Sequence, residues 1–155
     1  MGWQNYHLYE FKGKGYRIGV PNEELDELYD HKIIDATTVS LEEFISEPKE
    51  KLKYEYDFGD GWMHQINVEK ILEKQSGVSY PICIAGKLNC PLEDCGGIWG
   101  FYQMLEILED KKHPEREEMI EWVGENYDPE YFDTNQTNAI LKNLDLYIRE
   151  WEEQE

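Results

Sequence analysis

The side chains able to do chemistry gather in two stretches. The first, Tyr54-Glu55-Tyr56-Asp57-Phe58-Gly59-Asp60-Gly61-Trp62-Met63-His64, sets Asp57, Asp60 and His64 close together in the chain. An imidazole beside carboxylates can serve as a general base, tuned here by Asp60 or by the distant Glu93 or Asp94. The second stretch runs from Cys83 to Cys90-Pro91-Leu92-Glu93-Asp94-Cys95-Gly96-Gly97. Cys83, Cys90 and Cys95 with His64 (or His113) offer soft donors to Zn²⁺, although the two-residue Cys spacing usual in such sites is absent. Zinc is the one cofactor these residues suggest. Buried structural thiols explain the same cysteines without a metal, and no cofactor is then expected.

Each of these groups also has a structural explanation. His64 can be a core histidine bonded to a Tyr hydroxyl or a backbone carbonyl. Asp57 can turn its carboxylate back onto the amides of a turn. Gly96-Gly97 precede a helix and could present amides to an anion, but Glu93 and Asp94 stand ready to cap that helix themselves. Tyr56, Trp62, Gly96 and Gly97 are the candidate binding residues. Asp57-Phe58-Gly59 matches the kinase metal motif, yet the chain lacks the Gly-rich loop and His-Arg-Asp segment that belong with it.

Alternation places the first stretch on a β-hairpin. Leu52, Tyr54, Tyr56 and Phe58 fall on one strand face, and Trp62, His64, Ile66 and Val68 on the matching face of the next. A three-residue Gly-Asp-Gly loop with Gly61 left-handed would pair Phe58 with Trp62 and Tyr56 with His64. Tyr6–Phe11 and Tyr16–Val20 read as an earlier hairpin around Gly13-Lys14-Gly15. Asn22 could cap a short helix carrying Leu25 and Leu28, while Ile33–Val39 carries no clear pattern. Ser40 and Glu43 have capping-box spacing for a helix ending before Pro48.

Ile71 and Leu72 should prolong the second strand, and Tyr80–Ile84 should form a short edge strand. A helix over Ile98–Glu109 would align Ile98, Phe101, Leu105 and Leu108. Pro114 opens another, with Met119, Trp122 and Val123 inward and Gly124 ending it. Asp128-Pro129 starts a short turn of helix. Asp133 or Thr134 caps a last helix whose stripe is Ile140, Leu141, Leu144, Tyr147, Ile148 and Trp151, ahead of a frayed Glu152–Glu155. Strands first and helices second make an α+β fold, a mixed or antiparallel sheet of hairpins packed against C-terminal helices.

The 155 residues favour one domain with a real core, and 40% hydrophobic content agrees despite a mean hydropathy of −0.75. With 34 Asp+Glu against 15 Lys+Arg the net charge is −19. Such a surface repels phosphate backbones and anionic lipids, so nucleic acid and membrane are poor partners and a protein partner is the better expectation. An odd count of three Cys without a leader points to reduced thiols in the cytoplasm. No apolar run approaches the ~20 residues of a membrane span.

Two blocks together resemble the Ri-plasmid ORF-3-like family (plasmid pRi ORF-3-like). One is Tyr-x-Tyr-Asp-Phe-Gly-Asp-x-Trp-x-His-x-Ile from Tyr54 to Ile66, followed by Glu69. The other is Pro81, Cys83, Gly86, Cys90-Pro91-Leu92-Glu93-Asp94-Cys95-Gly96-Gly97 and Gly100-Phe101. Gly2-Trp3-x-x-x-His7-Leu8-x-x-Phe11 and Asp128-Pro129-Glu130-x-Phe132-Asp133 also fit, so the resemblance covers nearly the whole chain. Leu92 stands where Pro is usual and Phe101 where Tyr is usual. Some members carry a transposon resolvase label, which implies a mobile-element setting. The family has a strand and helix ahead of Gly-Trp, so the resemblance implies a domain truncated at its N-terminus or a mis-called start. The first hairpin would then expose an edge through which copies could associate.

The function expected is a non-catalytic intracellular interaction or accessory module. The alternative is a small hydrolase or metal-dependent enzyme using Asp57, Asp60, His64, Glu93 and Asp94. A DNA resolvase comes last, because no Ser lies near an Arg cluster and the charge is wrong.

Overall fold

A computed structural model describes residues 2–22 and 32–144. The expected helix at Leu25 and Leu28, the Tyr147, Ile148 and Trp151 end of the last stripe, and the tail all lie outside these residues. The described residues divide into two compact units. The first joins the residues up to Leu72 with Leu92–Val123, and the second joins Glu73–Pro91 with the chain from Gly124.

The first unit is built on a five-stranded mixed sheet, ordered β3 (Ile34–Asp35), β2 (Tyr16–Gly19), β1 (Tyr9–Gly13), β4 (Lys51–Tyr56) and β5 (Trp62–Asn67). β1 (Tyr9–Gly13) and β2 (Tyr16–Gly19) form the first hairpin. Its tip is the two-residue turn Lys14-Gly15, both at positive φ, which matches the strand twist. β4 (Lys51–Tyr56) and β5 (Trp62–Asn67) form the second hairpin. β1 and β4 pair antiparallel, so the first hairpin is not left with a bare flank. Its outer strand β2 is partnered in parallel by β3 (Ile34–Asp35), from the stretch that showed no pattern. The sheet edges are β3 and β5 instead.

The second hairpin keeps the expected faces but not the expected register. Tyr56 pairs with Trp62 and Tyr54 with His64, two residues short of Phe58 against Trp62. The loop is thus Asp57–Gly61, with Asp57 itself at φ 55 and Gly61 donating back to its carbonyl at 2.6 Å. Asp57 Oδ1 accepts from the Gly59 and Asp60 amides, so it is the side chain of Asp57 that closes the turn.

Tyr9, Phe11, Ile18, Leu52, Tyr54, Tyr56, Trp62, His64 and Ile66 share one sheet face by register. At one end Ile18, Phe44 and Leu52 make a buried cluster. Phe44 arrives on α1 (Leu41–Phe44), started by the Ser40–Glu43 capping box foreseen from the spacing. At the other end Trp3 stacks on Tyr56 at 4.9 Å. The opposite face is charged, and Glu10 is buried there against Arg17 and Lys12.

Val68 still exchanges backbone bonds with Lys49 and Glu50, after which the chain leaves the ladder, and Ile71 and Leu72 are exposed coil rather than strand. α2 (Gly97–Glu109) follows the second Cys loop. Its buried positions are Gly97, Met104 and Ile107, with Ile98 half exposed, so the inward stripe is rotated from the one expected. Phe101 meets Trp62 edge-on at 6.4 Å. α3 (Arg116–Val123) packs on α2, with Trp122 half exposed instead of inward.

In the second unit, Tyr80–Ile84 is not a strand. Asn138, on α4 (Thr134–Lys142), accepts from the Cys83 amide and donates to the Cys83 carbonyl, both at 2.8 Å. A side-chain amide thereby supplies the two bonds that a neighbouring strand would have made. Asp133 caps α4, accepting from the Asn135 and Gln136 amides. Ile140 on that helix is exposed.

Candidate functional site

The turn of the second hairpin and the loop ahead of α2 meet. Asp60 Oδ2 accepts from the Gly96 amide at 3.1 Å, and a Cβ on Gly97 would collide with the Asp60 carbonyl oxygen. Gly96 is the N-cap of α2 in left-handed conformation, without a side-chain cap of its own. The capping expected of Glu93 and Asp94 is not made. Asp60 brings the negative charge to that helix end from another element.

Glu93 and Asp94 turn elsewhere. Glu93 Oε1 accepts from the Tyr56 hydroxyl at 3.0 Å and from the Gln4 amide at 2.6 Å. Burial first, and Glu93 second, push the Tyr56 phenol well above its ordinary pKa. The imidazole of His7 lies among three carboxyl groups. Its Nε2 is 3.2 Å from Asp94 Oδ1, 3.8 Å from Asp57 Oδ2 and 4.0 Å from Glu93 Oε2. That nitrogen is buried and makes no hydrogen bond.

His64 stays apart from this group. Its Nδ1 faces the Tyr54 carbonyl at 3.3 Å, and its ring packs against Tyr54 and Trp3, which is the structural role weighed against a general base. Burial pushes the Tyr54 phenol up to about 12. Tyr56 and Trp62 are buried in the core, Tyr56 to 1% exposure with its hydroxyl on Glu93.

Among the described residues none of the three cysteines forms a disulfide. Cys83 and Cys90 belong to the second unit, Cys95 and His64 to the first. Burial, then the charge of Asp60, pushes the Cys95 thiol up to about 11, which keeps it protonated and a weak nucleophile at neutral pH. His113 accepts from the Glu115 amide at the start of α3.

Of the residues singled out from sequence, the structure brings together Asp57, Asp60, Glu93 and Asp94 and leaves His64 outside. The histidine that joins them is His7, which the strand pattern had absorbed. The only signal available for it was its place in the Gly2-Trp3-x-x-x-His7-Leu8 block.

The sequence profile of the plasmid pRiA4b ORF-3-like proteins matches residues 1–136. An uncharacterized protein of Sinorhizobium fredii, y4hQ, is 38% identical over 146 residues, spanning 93% of this chain and 73% of its own. The crystal structure of a protein of unknown function from Methanosarcina mazei Go1, MM3350, superposes with a TM-score of 0.74 at 38% identity. That match covers 88% of this chain and 75% of the other.

Proposed function

This chain belongs to the plasmid pRiA4b ORF-3-like protein family, and we propose that it is a non-catalytic interaction module receiving a basic segment of a partner protein. The observation carrying this reading is the outer face of α2, where Trp99 is 87% exposed and Tyr102 60%. Glu106 and Glu109 continue that face at helical spacing and are exposed too. Adjacent aromatic rings left in water mark binding surfaces more often than isolated apolar residues do. A ring followed by carboxylates suits Arg or Lys, the cation lying over the ring and its neighbours pairing with Glu. A net charge of −19 would draw such a segment in and keep nucleic acid away.

The hydrolase alternative takes His64 as its base, but His64 Nδ1 faces the Tyr54 carbonyl and its ring packs against Tyr54 and Trp3. Of its acids, Asp60 is engaged by the Gly96 amide. The reading takes the protein to be cytoplasmic. Among the described residues no helix is long and apolar enough to cross a membrane.

The test is titration with an Arg-rich peptide, against an analogue carrying Gln at each Arg. Trp99→Ala should weaken binding by roughly 2- to 30-fold, the range of a cation–π contact. Affinity should fall as salt rises. Equal binding of the neutral analogue, or an unaffected Trp99→Ala variant, would refute the reading.

A further inference from the structure

We propose that His7, Asp57, Glu93 and Asp94 form a site for a divalent transition-metal cation such as Zn²⁺ or Mn²⁺. The site is separate from the α2 face and from the thiols considered above. Its residues come from three places: the segment before β1, the turn of the β4–β5 hairpin and the loop before α2. One ligand atom each from His7, Asp57 and Asp94 lies within 4.8 Å of the others. Around an ion with ~2.1 Å bonds, tetrahedral ligands sit ~3.4 Å apart; His7 and Asp94 at 3.2 Å already meet that spacing, and the widest pair must close by at most about 1.4 Å.

Two further features point to a cation here. The Nε2 of His7 is buried without a hydrogen bond, a state that carries a desolvation penalty unless something coordinates it. The second is how the carboxylates are held. Asp57 fixes Oδ1 on turn amides and turns Oδ2 to His7. Glu93 fixes Oε1 on Tyr56 and Gln4 and turns Oε2 to the same nitrogen. Each acid is anchored by one oxygen and presents the other, as metal carboxylates are when an outer shell orients them. Asp57 is about nine-tenths buried, whereas Asp94 is 74% exposed and leaves the site an entrance. Among the described residues, His7 is the one basic group within 4.0 Å of these acids, so no Lys or Arg neutralises them. An imidazole with carboxylate oxygens suits Zn²⁺ or Mn²⁺ better than Ca²⁺ or Mg²⁺, which prefer oxygen alone.

The experiment is calorimetric titration of chelator-stripped full chain with Zn²⁺ and, separately, Mn²⁺. One equivalent should bind and raise the melting temperature. Asp94→Asn, at an exposed position whose left-handed backbone Asn tolerates, should weaken binding by at least about tenfold. His7→Gln should abolish it, and Cys95→Ala should leave it unchanged. Lack of saturable uptake of either ion would overturn the proposal. So would uptake that survives both Asp94→Asn and His7→Gln, or uptake lost with Cys95.

Discussion

Gly97→Ala, compared with Gly61→Ala, measures how firmly the hairpin turn holds the loop ahead of α2. The two glycines have nearly the same φ, +65 and +66. An alanine at either pays the left-handed penalty, about 1 kcal/mol or slightly more. They differ in surroundings. Nothing lies within 4 Å of a Cβ on Gly61, while one on Gly97 would sit against the Asp60 carbonyl, inside the 3.0 Å that real Cβ atoms keep. The loop must therefore move off the turn. Doing so stretches the Gly96-to-Asp60 hydrogen bond, worth about 1 kcal/mol. It also strains the packing beneath α2 by a further 1 kcal/mol or more, on the order of a mild overpacking. Gly61→Ala should thus lose about 1 kcal/mol and Gly97→Ala about 3 to 4. For a chain of this length that corresponds to melting shifts of roughly 3 °C and 10 °C, read by circular dichroism. If Gly97→Ala melts no lower than Gly61→Ala, the junction of turn and loop is not the close contact described.

Two other outcomes follow from the polar contacts. Burial raises the pKa of Glu10, but the hydrogen bonds and charges of Arg17 and Lys12 outweigh it and hold the carboxyl below its ordinary 4.5. A lowered folded pKa stabilises above the unfolded value and is lost as pH falls through the folded one. Urea unfolding should therefore show a loss below pH 4.5 that Glu10→Gln lacks, and parallel profiles would refute the assignment. Asn138→Ala should remove both bonds to Cys83 and speed exchange of the Cys83 amide by about tenfold, the equivalent of one to two hydrogen bonds. Unchanged exchange would mean that the segment is held some other way.

Much of the fold was legible because its determinants are local. Alternation from Leu52 to Ile66 fixed which residues share the aromatic face, and the structure keeps them there. Ser40 with Glu43, and Asp133, announced helix starts through their own amides. The register was harder. A period of two cannot distinguish Phe58 against Trp62 from Tyr56 against Trp62, since both keep the faces aligned. The choice fell to the side chain of Asp57, which closes a five-residue loop. Ile34-Asp35 is a strand through its pairing with β2, and within Tyr80–Ile84 the backbone of Cys83 is bonded by the Asn138 side chain and not by a strand.

For the site, sequence alone determined which acids could matter and which short segments carry them. It pointed to His64 and passed over His7. Within its strand His64 shows the same alternation whether it packs or reacts, and His7 stands fifty residues from Asp57 and more from Glu93. Their meeting depends on how β1 pairs with β4 and how a loop returns after leaving the first unit. Local patterns encode face and cap because neighbouring residues share a backbone. Which groups converge is decided by packing between distant segments, and only the folded chain holds that information.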